Sequence, residues 1–515
     1  MSLSVANLLF ISFAVVVGCG SSNDSVRSGT NLAESVAVQA SRREATAIGL
    51  IKAINSADPK ALETFAEKFT DPEVAKQVPI SKRLEVLQAV RQMTGKIEVR
   101  GVNELEEGEF ILEVTTEKQG PRQMRVIVGG PPTFGMQSVQ VGAPDSFSAR
   151  PTLFENITTL ADLADRAFKE GKAPAIALVR VTADGEPEVE VRGVRRFGTS
   201  EAVAKDDLWL VGSIGKSMTA TMIARLVDQG KLKWTTTLGE AFEGVPMKDA
   251  YRKVTLLQLL QHRGGIPQDM GVRPGGALTP EDVQNLAAGA KSDREVRERY
   301  AKHILSREPA GPVGEFRYSN AGFALASVMA EKAANQAFPN LMRTLLFEPL
   351  GMTSARIATP ASEGMPGSSG QNSGHRMAAG KPSPHSLSFG PMSQMFAAAG
   401  GGVAMTIGDL AKYGQFHLRG LLGKATLMSQ ANFDRLHTAA EGPGEAYGAG
   451  WSISPTQAGD KLHHHNGSDG TFQADLAIAP KRNMVVACIQ NMGEEAIQPM
   501  PEKVVISLVR AARPK

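Results

Sequence analysis

At 515 residues the chain exceeds what one ordinary core accommodates, so it is expected to hold two globular units behind an exported leader. Its 56 Lys and Arg stand against 53 Asp and Glu, a net charge of +3 with no long basic run, which argues against nucleic-acid binding. Two cysteines, Cys19 and Cys488, exclude a disulfide framework and a cysteine-based metal site.

The first strongly apolar run, Leu8 to Val17, is too short to span a bilayer and reads as an export signal over residues 1–18. Its end, Val16-Val17-Gly18-Cys19, resembles a bacterial lipoprotein box, which implies that Cys19 is lipidated, becomes the new N-terminus and tethers the protein to a membrane. Met1 to Asn7 departs from the usual leader in carrying no Lys or Arg. Residues 19–39 are mostly Ser, Asn, Gly and other small residues, which bury too little apolar area to fold, so a flexible tether is expected there.

Residues 40–145 predict a small α+β accessory domain. Ala47, Ile48, Ile51 and Ile54 fall at helical spacing, Ser56-Ala57-Asp58-Pro59 signals a second helix start, and Ser81 to Met93 gives a third helix. Lys96 to Val102, Glu109 to Thr116 and Gln123 to Val128 then alternate as half-buried strands. Three helices followed by a sheet, with Asn55-Ser56-Ala57-Asp58, look like the cone-shaped domains related to nuclear transport factor 2. Pro131-Pro132 and Gly142 to Asp145 mark the exit from this domain.

Chemistry-bearing residues lie beyond it. Val211-Gly212-Ser213-Ile214-Gly215-Lys216 leads into a helix whose Met218, Met222, Ile223, Leu226 and Val227 share a face and which ends at Gly230. The i, i+3 spacing puts Lys216 on the face of Ser213, within reach of its proton. A serine needs such a base, and a lysine acts as one only when burial or nearby positive charge lowers its pKa; a helix N-terminus supplies the latter and offers the Ser213 amide to an oxyanion. Alone, Ser-x-x-Lys arises by chance about once or twice in a chain of this length.

Two further motifs follow in order. Phe316-Arg317-Tyr318-Ser319-Asn320 opens a helix with Phe323, Ala324 and Val328 on one face. His464-His465-Asn466-Gly467-Ser468-Asp469-Gly470 lies between strand-like Tyr447 to Ile453 and Phe472 to Ile478. Together, over residues 152–512, these resemble the serine hydrolases of the class C β-lactamase, D-Ala-D-Ala carboxypeptidase and family VIII esterase group, with their Ser-x-x-Lys, Tyr-x-Asn and Lys/His-x-Gly motifs. Leu259 to Gly265, Glu348-Pro349-Leu350-Gly351-Met352 and Gly400-Gly401-Gly402 ahead of Asp409-Leu410 support the resemblance.

The resemblance implies an α/β (α+β) domain, a β-lactamase/transpeptidase-like antiparallel sheet flanked by helices, built on Ala175 to Val181 and the strands after Tyr447. An all-helical subdomain would supply Tyr318. It further implies Ser213 as nucleophile, Lys216 as base and Tyr318 as proton shuttle to the leaving group. Asn320 would bond substrate or Lys216, His465 would line the opposite wall, and the Ser468 amide, after Gly467, would complete the oxyanion hole. His465 stands where β-lactamases of this class carry Lys, and Asn466 where carboxylate-binding members carry Thr or Ser, which disfavours a β-lactam substrate. The expected function is an exported hydrolase of an ester or amide substrate, small molecule or peptide, with carboxylesterase-like action ahead of D-amino-acid peptidase action, and with no cofactor. The alternatives are a true β-lactamase and a catalytically idle binder of cell-wall peptides.

Four other features divide between function and packing. His463-His464-His465 alternate across a strand with no Cys or carboxylate cluster nearby, against a metal site. His262 and Arg263 fit a helix end; Tyr447 and Trp451 suit either a pocket lining or the core. Residues 364–393, rich in Gly, Ser, Pro and Met, read as a long loop bordering the cleft, and Cys488 as a buried strand residue.

Overall fold

The computed structural model describes residues 36–142, 157 and 159–512, apart from 130–133, 268–277, 358–364, 386–396, 456–460, 494–499 and positions 59, 107–108, 369, 379, 425 and 443–444. The leader, Cys19 and most of the expected tether lie outside the described residues. The chain divides between residues 152 and 153 into two compact units.

The first unit is α+β. Helices α1 (Val36–Asn55), α2 (Ala61–Lys68), α3 (Pro72–Gln77) and α4 (Ile80–Thr94) precede strands β1 (Ile97–Glu106), β2 (Glu109–Thr116), β3 (Gly120–Val128) and β4 (Met136–Gly142). The strands pair antiparallel in chain order. Leu50, Leu62, Phe65 and Leu87 from the helices pack on Phe110, Leu112, Met124, Val126 and Val139, so one face of each strand feeds a single apolar layer. The sequence reading differs in three places. Helix α1 starts inside the expected tether, because Val36-Ala37-Val38-Gln39-Ala40 can extend it. The six-residue α3 went unseen. Pro131-Pro132 lies ahead of a fourth strand rather than at the exit, because β4 pairs with β3 through Val126↔Val139 and its neighbours.

The second unit is built on a six-stranded antiparallel sheet, in the order β12 (Ser452–Pro455), β13 (Lys461–Ser468), β14 (Gln473–Ala479), β15 (Met484–Gln490), β5 (Ala175–Val181) and β6 (Glu188–Gly193). Both faces are covered, which is why β14 and β15 are buried along their whole length and read as continuous apolar runs. Helix α5 (Leu160–Glu170) and the last helix (Met500–Ala511) pack with Cys488, Ile176 and Val486 on one side. A helix over Ile407–Leu421 joins the larger core on the other.

Between β7 (Trp209–Leu210) and β8 (Arg356–Ile357) comes the helical part: α6 (Gly215–Asp228), α7 (Leu238–Ala241), α8 (Leu256–Leu260), α9 (Pro280–Ala287), α10 (Asp293–Ser306), α11 (Asn320–Ala334) and α12 (Phe338–Met342). Thr237, Thr255 and Thr279 close capping boxes on α7, α8 and α9, satisfying amides that a helix start leaves free. The fully buried Arg297–Glu331 ion pair ties α10 to α11 at 2.5 Å.

The stretch read as a long loop contains a hairpin, β9 (His375–Ala378) with β10 (Lys381–Pro384). The hairpin lies against the turn after β13: the Thr471 carbonyl accepts from the His375 amide at 3.1 Å, and the Gly470 carbonyl from the Arg376 guanidinium at 2.9 Å. The strand expected from Tyr447 is shorter than its alternation suggests, with Tyr447 making a single bridge to Ser452 ahead of β12.

Candidate active site

Ser213 sits in a 3₁₀ turn, Gly212–Ile214, between β7 and α6. The turn is fixed from both sides by backbone. β7 pairs with β11 (Val403–Met405), and the Val211 amide donates to the Val403 carbonyl at 3.0 Å. Gly212 adopts φ +53°, and a Cβ there would overlap the Ser468 amide nitrogen. A Cβ on Gly467 would lie 2.8 Å from the Ser213 nitrogen and overlap the Val211 carbonyl. These glycines let β13 run against the nucleophile turn at backbone distance, which brings the amides of Ser213 and Ser468 to the same small volume.

Lys216, one turn after Ser213 and the second residue of α6, is completely buried. Its Nζ lies 2.7 Å from Ser213 Oγ and donates to the Ala399 carbonyl at 2.8 Å. Thr219 donates to the neighbouring Ala398 carbonyl at 2.8 Å, so α6 grips the 397–400 turn through two residues. Burial pushes the Lys216 ammonium well below the usual lysine range, which favours a neutral amine with a lone pair for the serine proton.

Tyr318 enters from the segment before α11. Its hydroxyl hydrogen-bonds Ser213, its ring lies 4.8 Å from Lys216 Nζ, and burial raises its pKa, so it stays a phenol. Ser319 caps α11 by accepting from the Gly322 amide at 3.0 Å. Asn320 starts that helix, half-buried, with no side-chain hydrogen bond among the described residues. Lys216 also holds the Ala399 carbonyl, a partner that no sequence signal announces.

On β13, side chains alternate as expected: His463, His465 and Gly467 are buried, while Asn466 is exposed. His465 stands differently from a residue lining a wall. It is 3% exposed, its Nδ1 is 2.6 Å from the Asn466 carbonyl and its Nε2 is 2.8 Å from Tyr447 Oη. Burial first, and Lys216 second whenever that amine carries a proton, push its pKa down to about 3. Tyr447 therefore belongs to the surroundings of the site, whereas Trp451 lies in the core against Tyr413. His262, at φ +59°, accepts from the Ser319 amide through Nδ1 at 3.0 Å, and its ring lies between Tyr318 at 4.3 Å and Tyr447 at 4.7 Å. The helix-end reading of His262 holds, and the same residue also positions the Tyr318 segment.

Beneath α6 runs a buried hydrogen-bonded row. His463 Nδ1 meets His437 Nδ1 at 3.2 Å, His437 Nε2 meets His417 Nδ1 at 2.9 Å, and His417 Nε2 meets Thr221 Oγ1 at 3.0 Å. Tyr413 continues it by donating to Ser217 Oγ, which donates to the Ile214 carbonyl. Each nitrogen pair needs one donor and one acceptor, so at least one ring of each pair is a neutral imidazole. Among the described residues no three His, Cys, Asp or Glu side chains form a metal-binding group.

Burial lowers the pKa of seven histidines, 262, 375, 417, 437, 463, 464 and 465, to about 3 for His417 and about 4 for His463 and His464. The unfolded chain binds those protons near pH ~6.5 and the folded chain does not, so stability is full above that pH and lost as pH falls toward 4. Asp475, pushed up to about 8 by burial and by Glu502, and Asp469, also raised by burial, act in the opposite direction. Seven groups outweigh two. The melting temperature is expected to drop steeply below about pH 6, where the seven histidines act; a level profile down to pH 4 would show that these rings accept protons in the fold.

A protein-family model described as Beta-lactamase matches residues 160–497, well over half of the chain, and the chain belongs to that family. Penicillin-binding protein 4 of Amycolatopsis lactamdurans is 29% identical over 190 residues, covering 36% of this chain and 46% of that protein. The D-alanyl-D-alanine-carboxypeptidase/endopeptidase AmpH of Escherichia coli K12 is 24% identical over 343 residues, 62% of this chain and 80% of that one. The matches to the first relative and to a Providencia stuartii β-lactamase span 46% and 47% of those proteins, about half their length. The crystal structure of a class C β-lactamase from Rhodobacter sphaeroides superposes with a TM-score of 0.53 at 16% identity, covering 68% of this chain and 99% of that one, which shows a shared fold.

Proposed function

We propose that the protein is an exported serine hydrolase that works through an acyl-Ser213 intermediate on an ester or amide. The observation that carries this reading is the 2.7 Å contact between Ser213 Oγ and a fully buried Lys216 whose basicity burial has lowered. Neutral Lys216 takes the hydroxyl proton as Oγ attacks the substrate carbonyl. The resulting oxyanion accepts from the Ser213 and Ser468 amides, which the Gly212 and Gly467 backbone contact brings close together. Tyr318, a phenol bonded to Ser213, receives a proton from the lysine side as it gives its own to the leaving oxygen or nitrogen. Water then attacks the acyl-enzyme by the reverse route and restores every group.

Carboxylesterase-like action leads within this reading and D-amino-acid peptidase action follows, the latter supported by the likeness to AmpH. Neutral His465 and exposed Asn466 bring neither a cation nor a hydroxyl to the place where a β-lactam or D-Ala carboxylate would be held. Export and a lipid anchor at Cys19 rest on the leader pattern; no helix among the described residues is long and apolar enough to cross a membrane. Residues 40–145 are proposed as an accessory domain akin to nuclear transport factor 2. Turnover of a chromogenic ester, a D-Ala-D-Ala peptide and a chromogenic cephalosporin is expected to rank in that order. Turnover of none would favour a non-catalytic peptide binder, and cephalosporin turnover above the others would favour a β-lactamase.

A further inference from the structure

Tyr447 and His465 form a pair whose chemistry the acyl-transfer account leaves unused. The Asn466 carbonyl can only accept, so the 2.6 Å contact to His465 Nδ1 requires a proton on Nδ1. A neutral ring then leaves Nε2 as an acceptor, and the Tyr447 hydroxyl, 2.8 Å away, donates to it. Tyr447 is 1% exposed, and its ring is held by His262 at 4.7 Å and Phe316 at 6.0 Å, so the donor is fixed in place.

Both ends of this chain matter to the site. The Asn466 carbonyl belongs to the peptide unit that joins Asn466 to Gly467, one residue before the Ser468 amide. Gly467 pairs with Ala474 of β14 on one edge of β13 while the pairing with β12 ends at His464, so a peptide plane at Gly467 held from that one edge would be free to tilt the Ser468 N–H away from the Ser213 N–H. Anchoring the Asn466 carbonyl from its own strand removes that freedom.

We propose that Tyr447 is a positioning residue that locks His465 in its Nδ1–H tautomer and thereby holds the Asn466–Gly467 peptide so that the Ser468 amide faces the oxyanion. The inference rests on the acyl-transfer reading above for its consequence in catalysis, though the tautomer itself stands apart from it. His262 has a related task on the other side, since it packs on Tyr447 while accepting from the Ser319 amide beside Tyr318. The two residues connect the second and third motifs through a solid aromatic floor.

The test is a double-mutant cycle on ester hydrolysis with Tyr447→Phe, His465→Asn and the pair. Asn offers a donor near the position of Nδ1 without any choice of tautomer. Tyr447→Phe alone is expected to lower kcat about tenfold with KM within twofold, and to move the acid limb of the kcat profile to higher pH, because the freed Nε2 takes a proton more readily. In the His465→Asn background the same change is expected to alter kcat less than twofold. Equal effects in both backgrounds would overturn the proposal, since a purely structural tyrosine acts independently of the ring. Nitrogen-15 NMR of the wild-type imidazoles gives a second readout that needs neither activity nor a folded variant. A proton on Nδ1 of His465 supports the proposal, and a proton on Nε2 overturns it. Absence of hydrolysis by the wild type would count against acyl transfer alone, with the NMR spectrum deciding the tautomer.

Discussion

Replacing Lys216 by Met is expected to lower kcat by about a thousandfold while leaving the melting temperature unchanged or higher. The loss follows from removing the amine hydrogen-bonded to Ser213 Oγ, and general-base catalysis is worth roughly 10²–10⁴-fold. The gain in stability follows from the same geometry. A buried amine with no carboxylate beside it among the described residues costs solvation free energy, and its partners Ser213 Oγ and the Ala399 carbonyl return only part of that cost. Methionine has a similar length and no such penalty. Lys216→Arg should be as inactive but less stable, because a guanidinium keeps its proton and does not fit a completely buried site. Steady-state kinetics beside thermal melts check both. Full turnover in Lys216→Met would remove lysine from the account.

Gly467→Ala is expected to cost about a hundredfold in kcat and on the order of 1–3 kcal/mol of stability. The added methyl would lie 2.8 Å from the Ser213 nitrogen and inside contact distance of the Val211 carbonyl. Both neighbours are backbone atoms fixed by the β7 pairing with β11, so β13 itself must retreat. Its retreat carries the Ser468 amide with it, and a shift of about an ångström at an oxyanion donor is enough for the kinetic loss. A circular-dichroism melt and kcat measured on the same preparation separate the two effects. An alanine variant with wild-type kcat would mean that Ser468 does not serve the oxyanion.

The expectations that held rest on patterns with one local cause. Ser213 and Lys216 meet because an i, i+3 step across the 3₁₀ turn and the start of α6 makes one turn, and Cys488 is buried because its neighbours form an unbroken apolar run in a strand covered on both faces. Tyr318 stands near Ser213, although only the motif order linked them across a hundred positions of chain. What escaped the sequence depends on contacts far apart in it. The Ala399 carbonyl is a backbone atom with no residue-type signal, yet it holds Lys216 from 183 positions away. His262 looked like a helix end because it is one, at positive φ, and its contact with the Ser319 amide appears only when α8 and α11 pack. Tyr447 remained undecided between pocket and core because alternation says which face a residue takes, not whether a histidine waits there. The row of His417, His437 and His463 joins three separate elements, so no local spacing could reveal it.

Ser213 is expected to be the serine that Lys216 activates. Wild-type protein treated with a fluorophosphonate and mapped by peptide mass spectrometry is expected to carry one adduct, on Ser213, with none in Ser213→Ala. An unlabelled but folded wild type, or an adduct at another serine, would contradict it.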